Sequence, residues 1–256
     1  MDLHLKNKTV IVTGGARGIG KAIVELLTEE GARVAIVDKL TLPNKTLPDR
    51  NTKGYYFTAD LGTAEACQQV VADIVAEFGQ IDALVNNAGV NDKIGLEKGT
   101  PEQFIASINN NVGHYYFMTH YCLPHLKERR GTIVNIGSKT SVTGQGGSSG
   151  YVAAKGAILA LTREWAIELL PYAMRVNAVI PAEVSTPLYE SWLKGFSDPQ
   201  EKLRQVSKKI PLEHRLTKPD EIANAVAFLI SDRSSHTTGQ WIFVDGGYTH
   251  LDRSIS

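Results

Sequence analysis

Short apolar runs rich in β-branched residues alternate along the chain with longer stretches of helix-forming residues. The runs at Lys8–Val12, Arg33–Val37, Gly54–Ala59, Ile81–Val85, Gly131–Ile136, Met174–Ile180 and Trp241–Val244 predict strands. Between them, Lys21–Glu30, Ala64–Phe78, Pro101–Arg129, Tyr151–Leu170 and Pro219–Ile230 predict helices, with Gly31 stopping the first. Such alternation implies right-handed crossovers and a Rossmann-type α/β fold, a doubly wound parallel sheet with helices on both faces and ligands at the strands' carboxyl ends. Two segments fall outside the pattern, Leu40–Lys53 and Pro181–Ile210. The second carries Trp192, Leu193 and Phe196 at amphipathic spacing and is expected to be either a substrate lid or an ordinary packing excursion. No linker, repeat or low-complexity tract divides residues 1–256, so a single domain is expected.

Composition narrows the partners. With 256 residues and 43% hydrophobic content the chain can bury a large core. Its 27 basic and 27 acidic residues cancel, leaving no field to attract a polyanion, so nucleic acid is not an expected partner. The first twenty residues hold no cationic segment leading into an apolar core, and the longest apolar stretches, such as Ala223–Ile230, are far shorter than the roughly 20 residues that span a bilayer. A cytoplasmic protein without membrane association is expected. Cys67 and Cys122 form no CxxC pair and have no nearby His pair, so no metal site is expected, and both are read as reduced, buried side chains.

Thr13-Gly14-Gly15-Ala16-Arg17-Gly18-Ile19-Gly20 lies between a predicted strand and a predicted helix, where missing side chains let backbone N–H groups approach a pyrophosphate. The spacing differs from the usual GxGxxG. Asp38 ends the second predicted strand, where a carboxylate can hydrogen-bond the adenosine ribose and repel a 2′-phosphate, favouring NAD. Arg17 and Lys39 argue for NADP, since either cation can neutralise that phosphate. Farther along, Tyr151 and Lys155 are four residues apart and share one helix face. An ordinary tyrosine ionises near a pKa of about 10, and an adjacent ammonium favours the phenolate.

The glycine motif, Asn86-Asn87-Ala88-Gly89, Ser138 and the Tyr151-x3-Lys155 pair together resemble the classical short-chain dehydrogenase/reductase family, over essentially the whole chain. The resemblance implies that Tyr151 exchanges the hydroxyl proton, Ser138 hydrogen-bonds the substrate oxygen, and Lys155 holds the nicotinamide ribose while tuning Tyr151. The family's fourth participant, an Asn, maps to Asn111 from the placing of Thr119 and Leu123-Pro124, although Asn109 and Asn110 leave the register open. Resemblance also assigns Gly14, Arg17, Gly18, Ile19 and Gly20 to the dinucleotide, with Asp60 and Leu61 against the adenine. Asn87, Ala88 and Gly89 would lie along the cofactor, with Pro181, Val184 and Thr186 around the nicotinamide. Where family members usually read Pro-Gly, this chain reads Pro181-Ala182-Glu183, which puts a charge near the reaction centre.

Glu183, Gln145 and His114 are polar groups on segments expected to border one cleft, and Tyr189 and Trp192 join them as candidate substrate contacts. Such a lining suits a polyhydroxylated small molecule better than an acyl chain or steroid. The Pro181–Tyr189 stretch and the tail from Asp245 to Arg253 resemble the branch of the family that acts on L-fucose, implying oxidation of a sugar's anomeric hydroxyl to a lactone. The family further implies a homotetramer, in which His250 or Arg253 of the tail would approach a neighbouring subunit's cleft. Two other readings stand beside this one: a reductase of apolar carbonyls, and a dinucleotide sensor without catalysis.

Overall fold

The computed structural model describes residues 2–41 and 54–251, so most of the Leu40–Lys53 segment and Arg253 lie outside the described residues. The strands are β1 (Thr9–Thr13), β2 (Arg33–Asp38), β3 (Gly54–Thr58), β4 (Ala83–Asn86), β5 (Thr132–Ile136), β6 (Arg175–Pro181) and β7 (Trp241–Val244). They form one parallel sheet in the order β3-β2-β1-β4-β5-β6-β7. The chain winds outward in opposite directions from β1, and the reversal between β1 and β4 opens a crevice at their carboxyl ends.

The helices are α1 (Gly18–Glu29), α2 (Ala64–Phe78), α3 (Pro101–Ile108), α4 (His114–Arg129), α5 (Ser149–Glu168), α6 (Pro187–Leu193), α7 (Pro199–Ser207) and α8 (Pro219–Ile230). Alternate strand residues supply two separate cores. Val10, Val12, Val34 and Ile36 pack with Ile23 and Leu27 of α1 and Val226 of α8. Ile11, Ala35, Leu84 and Ile133 pack on the other face with Ile74 of α2, Met118 of α4 and Ile158 of α5. Both faces of the central strands are therefore apolar, as buried parallel strands require.

Two expectations change. The helix expected over Pro101–Arg129 is interrupted by a π-helical turn at Asn109–Gly113. A run of three asparagines and a glycine is a poor helix sequence, and the wider turn changes which side chains face inward. The Pro181–Ile210 segment, expected to be irregular, contains α6 and α7. Each opens on a capping side chain followed by proline: Thr186 Oγ1 accepts from Tyr189 N, and Asp198 Oδ1 accepts from Glu201 N.

A buried polar chain ties the helices to the carboxyl end of the sheet. Asn86 and Asn135 are paired in register across β4 and β5. Asn86 Nδ2 donates to Asn135 Oδ1 (3.0 Å) and to Thr119 Oγ1 of α4 (3.2 Å), while Asn135 Nδ2 donates to Thr162 Oγ1 of α5 (3.0 Å). Replacing Asn135 with Leu strands its partners without water and should destabilise the protein by about 2–4 kcal/mol in urea unfolding. Adding Asn86→Leu should cost less than the sum of the two single changes. A loss for Asn135→Leu below about 0.5 kcal/mol would show that the chain contributes nothing to stability.

Candidate active site

The turn after β1 is shaped for close approach. Gly14 and Gly18 adopt left-handed φ values of 64° and 54°. A Cβ on Gly20 would stand 2.1 Å from Gly14 O and 2.6 Å from Asn87 Nδ2, so the turn is closed to any side chain there. Thr13 Oγ1 accepts from the N–H groups of Asn87 (2.9 Å) and Ala88 (3.1 Å), and Asn87 Nδ2 donates to the carbonyls of Thr13 (2.9 Å) and Gly14 (3.1 Å). The ends of β1 and β4 and the glycine turn thus form one rigid unit. Arg17, exposed, precedes α1, whose first turn carries no acidic side chain. This bare helix start behind a glycine cradle fits a dinucleotide pyrophosphate.

At the rim of the crevice Asp38 Oδ2 accepts from Ala16 N (3.1 Å) and Oδ1 from Leu40 N (3.1 Å), which fastens the end of β2 to the same turn. Burial, followed by the Asp38 charge, pushes the Tyr56 phenol up to about 12, with Arg17 opposing, so the carboxylate and guanidinium share one neighbourhood. Asp60, after β3, accepts from Gly62 N (3.1 Å), and Leu61 is buried. From the opposite side, Thr186 lies over the turn, with its Cγ2 3.4 Å from the Cβ position of Gly18. The segment before it is pinned by a parallel bridge between Val184 and Thr217, with Thr217 N donating to Glu183 O and Ser185 N to Thr217 O (both 2.9 Å). This pairing holds the backbone where the Pro-Gly expected of the family is replaced by Pro181-Ala182.

Ser138 follows β5, and Tyr151 and Lys155 lie in the first two turns of α5. Ser138 Oγ accepts from Thr140 Oγ1 (2.9 Å) and Thr140 N (3.3 Å), which fixes its oxygen. Lys155 Nζ donates to Ile136 O (2.8 Å) and to Tyr115 Oη (3.0 Å), and stands 5.8 Å from the centre of the Tyr151 ring. Burial raises the Tyr151 pKa, and contact with Ser138 lowers it. Desolvation therefore outweighs the Ser138 contact, and the lowering expected from Lys155 is not among the influences on this phenol. Asn111, in the π-helical turn, is fully buried: its Oδ1 accepts from Val90 N (2.8 Å) and its Nδ2 donates to Ser107 O (3.0 Å). Its Oδ1 lies 3.2 Å from the Cβ position of Gly89, and Lys155 Nζ lies 3.6 Å from that position. Asn109 and Asn110 are exposed, so Asn111 is the asparagine that points into this cluster.

The candidate substrate residues are dispersed. Gln145 is exposed on the loop between Ser138 and Tyr151. His114 is buried beside the Tyr115 ring rather than on an open wall, and neither ring nitrogen has an aligned partner. Burial, then the Lys155 charge, pushes His114 down to about 4 and keeps it neutral. Glu183 is not a free carboxylate; it is paired with Lys139. The Tyr189 and Trp192 rings on α6 meet in a tilted contact with centres 5.1 Å apart, and Trp192 meets Phe196 edge-on at 4.8 Å. Sequence reasoning missed Tyr115 and Lys139. The position of Tyr115 four residues after Asn111 is the one signal that could have marked it, whereas nothing local to Lys139 announces a partner 44 positions away. Among the described residues, no group of three or more His, Cys, Asp or Glu is arranged to hold a metal, and no helix is long and apolar enough to cross a membrane.

Comparison with known proteins is consistent with this geometry. A family model described as Enoyl-(Acyl carrier protein) reductase matches residues 14–249. The 3-oxoacyl-(acyl-carrier-protein) reductase FabG of Thermotoga maritima is 35% identical over 254 residues, covering 96% of this chain and 99% of the relative. The L-fucose dehydrogenase of Bos taurus is 34% identical over 248 residues, covering 96% and 91%. Among solved structures, the Cj0485 dehydrogenase superposes with a TM-score of 0.94 at 46% identity, covering 99% of this chain and 98% of that one. The ligand-free aldohexose dehydrogenase of Thermoplasma acidophilum gives 0.89 at 31% identity, with coverages of 99% and 98%.

Lys155 carries a stability consequence. Desolvation pushes its ammonium from an ordinary 10.5 down to about 7. Below that value the folded and unfolded chains both hold the proton, and the folded state bears the whole penalty of the buried charge. As pH rises from about 7 towards 10.5 the folded chain sheds the proton first, so stability increases through that window. The penalty at low pH is on the order of 3–5 kcal/mol. Lys155→Met should therefore raise the melting temperature without nucleotide at about pH 6, with the gain shrinking towards about pH 10. A lower melting temperature at both values would show that the Ile136 and Tyr115 contacts outweigh desolvation.

Proposed function

This chain belongs to the classical short-chain dehydrogenase/reductase family, and from that premise we propose that it oxidises the anomeric hydroxyl of L-fucose or a related aldose to the lactone, with NAD as the preferred acceptor. The observation that carries the sugar reading is a carboxylate, Glu183, set beside the residue that follows Ser138. An acyl or steroid chain has no hydroxyls to bond the positions that the Glu183–Lys139 pair leaves open, whereas a polyol has. Relatives named for L-fucose and for aldohexose support the same reading.

The glycine cradle fits a dinucleotide, and the residues that would hold it are Gly14, Arg17, Gly18, Ile19 and Gly20 at the pyrophosphate and Asp38 at the adenosine ribose. Asp60 and Leu61 would meet the adenine, Asn87, Ala88 and Gly89 would lie along the molecule, and Pro181, Val184 and Thr186 would surround the nicotinamide. When bound, NAD supplies the acceptor for the hydride that leaves the substrate carbon. Ser138, its oxygen held by Thr140, donates its hydroxyl hydrogen to the substrate oxygen. Tyr151 takes the hydroxyl proton as the carbonyl forms, with the Lys155 amine 5.8 Å from its ring centre and charged on the acid side of about 7. Two of the three Lys155 N–H groups are committed to Ile136 and Tyr115, which leaves the third for a ribose hydroxyl. Asn111, locked by Val90 and Ser107, completes the floor of the proton path.

The working form we propose is a cytoplasmic homotetramer acting on a small molecule. Exposed apolar side chains at Tyr116, Ile167 and Ile242 offer faces for subunit contact, and the two free, buried cysteines suit a reducing compartment. The second reading, a reductase of 3-oxoacyl or other apolar carbonyls, draws on the FabG relative.

Absorbance of reduced nicotinamide separates these readings. Purified protein with NAD or NADP should turn over L-fucose, D-arabinose or L-galactose, and Tyr151→Phe should lower kcat by about 10²-fold or more. Activity confined to secondary alcohols, a hydroxysteroid or a 3-hydroxyacyl thioester would favour the second reading. For cofactor choice, Asp38→Ala should raise the efficiency with NADP relative to NAD; an unchanged ratio would remove Asp38 as the discriminating residue.

A further inference from the structure

We infer that Lys139 and Glu183 work as one recognition unit for a pair of neighbouring hydroxyls on the substrate, beyond the carbon that is oxidised. The inference rests on the aldose reading above and adds the residue and the chemistry that would select the sugar. Lys139 is the residue after Ser138, on the short turn that leaves β5. Glu183 lies two residues past the end of β6, the strand next to β5. Adjacent parallel strands thus deliver the two side chains to the same edge, where Lys139 Nζ meets Glu183 Oε1. A third segment joins them: the Tyr248 ring, beyond β7, lies under the ammonium with its centre 3.9 Å away. Tyr189 of α6 is a neighbour of the carboxylate: burial first, and Glu183 second, raise its phenol pKa.

Stability does not account for this arrangement. The two side chains retain only 9% and 19% of their exposure, so both charges are largely stripped of water. An ion pair in such a place is generally no better for folding than a well-packed apolar pair, because desolvation cancels most of the attraction. The pair also lies outside both apolar cores, between the segment that carries Ser138 and the segment that leads into α6.

Its chemistry suits a diol. An ammonium has three donors and a carboxylate about four acceptor positions, and their mutual contact uses one of each. Two adjacent hydroxyls can accept from Lys139 and donate to Glu183 at once. Because the pair is neutral as a whole, it favours an uncharged polyol over a sugar phosphate. A substrate lacking those hydroxyls leaves a desolvated pair without its partners, and that penalty discriminates against deoxy analogues.

The test compares a turned-over aldose, its singly deoxygenated analogues and 2-hydroxytetrahydropyran, which keeps the lactol hydroxyl and lacks all the others. Lys139→Met, Glu183→Gln and the double variant Lys139→Met/Glu183→Met are assayed with each, the double variant avoiding an unpaired buried charge. The expected result is a rise in KM for the aldose of at least about ten-fold with kcat within about three-fold, and a narrowing of the preference for aldose over one deoxy analogue. The efficiency with 2-hydroxytetrahydropyran should fall less than about three-fold. An unchanged aldose-to-deoxy ratio, or equal losses on aldose and 2-hydroxytetrahydropyran, would overturn the inference while leaving the aldose reading intact. Wild-type protein that turns over no aldose would overturn both.

Discussion

Helices close both faces of this parallel sheet, and the reversal of strand order opens a crevice at its carboxyl edge, so the groups that meet a ligand are gathered there. Apart from Asn111 in its π-helical turn, the groups proposed to bind or react lie within a few residues of a strand's end or in the first turns of a helix. Thr13 and Gly14 close β1, Asp38 ends β2, Asn87 follows β4, and Ser138 and Lys139 follow β5. The switch in strand order between β1 and β4 opens the crevice, and the Thr13–Asn87 bonds keep its lip from collapsing. Tyr151 and Lys155 come from α5, which the buried Asn135–Thr162 contact anchors to β5. Backbone geometry sets the frame, and buried side-chain hydrogen bonds set the distances within it.

The buried Lys, His and Asp side chains are concentrated at this one edge. The apolar layers on either face contain little beyond aliphatic and aromatic side chains, whereas Lys155, His114, Asn111 and the Lys139–Glu183 pair all crowd the carboxyl end. Lys155, His114 and the ion pair weaken folding relative to apolar replacements, because a charge, or a ring nitrogen without an aligned partner, has been taken from water, whereas Asn111 has both its polar atoms bonded. The two large cores offset that penalty. The division of labour is physical: the sheet interior supplies stability, and its edge uses some of it to hold groups in states that water would relax.

What the sequence made legible depends on the range of the interaction. Strand and helix alternation is local and periodic, so all seven strands and the positions of α1, α2, α5 and α8 could be read to within a few residues. Gly14, Gly18 and Gly20 were legible because a missing side chain is visible in a sequence, and Tyr151 with Lys155 because a helix brings i and i+4 together. The π-helical turn was not, since its effect on facing depends on a backbone detail that composition only hints at. α6 and α7 were legible in principle from Thr186-Pro187 and Asp198-Pro199, but their short length hid any periodicity. Contacts made across the sheet edge, such as Lys139 with Glu183 and Lys155 with Tyr115, join residues from distant segments, and nothing in one chain's pattern connects them. His114 shows the converse: read as a polar wall residue, it is buried at the start of α4, directly after the π-helical turn.

The aromatic residues on α6 bear on the choice between a sugar and an apolar carbonyl. Tyr189 and Trp192, with Phe196 just beyond the helix, form a run of tilted and edge-on contacts whose Tyr189 end lies next to Glu183, and taken alone such a wall would suit an acyl chain. A pyranose has two kinds of surface, a rim of hydroxyls and a face of C–H groups, and the second packs against aromatic rings as an aliphatic group does. An aromatic wall beside a charged pair therefore matches both surfaces of one sugar ring. An acyl chain would satisfy the wall and leave the donor and acceptor positions that the pair does not spend on itself without a substrate partner. Since an unmatched buried polar group costs more than an unmatched apolar contact, the pair weighs more heavily in the choice than the wall does.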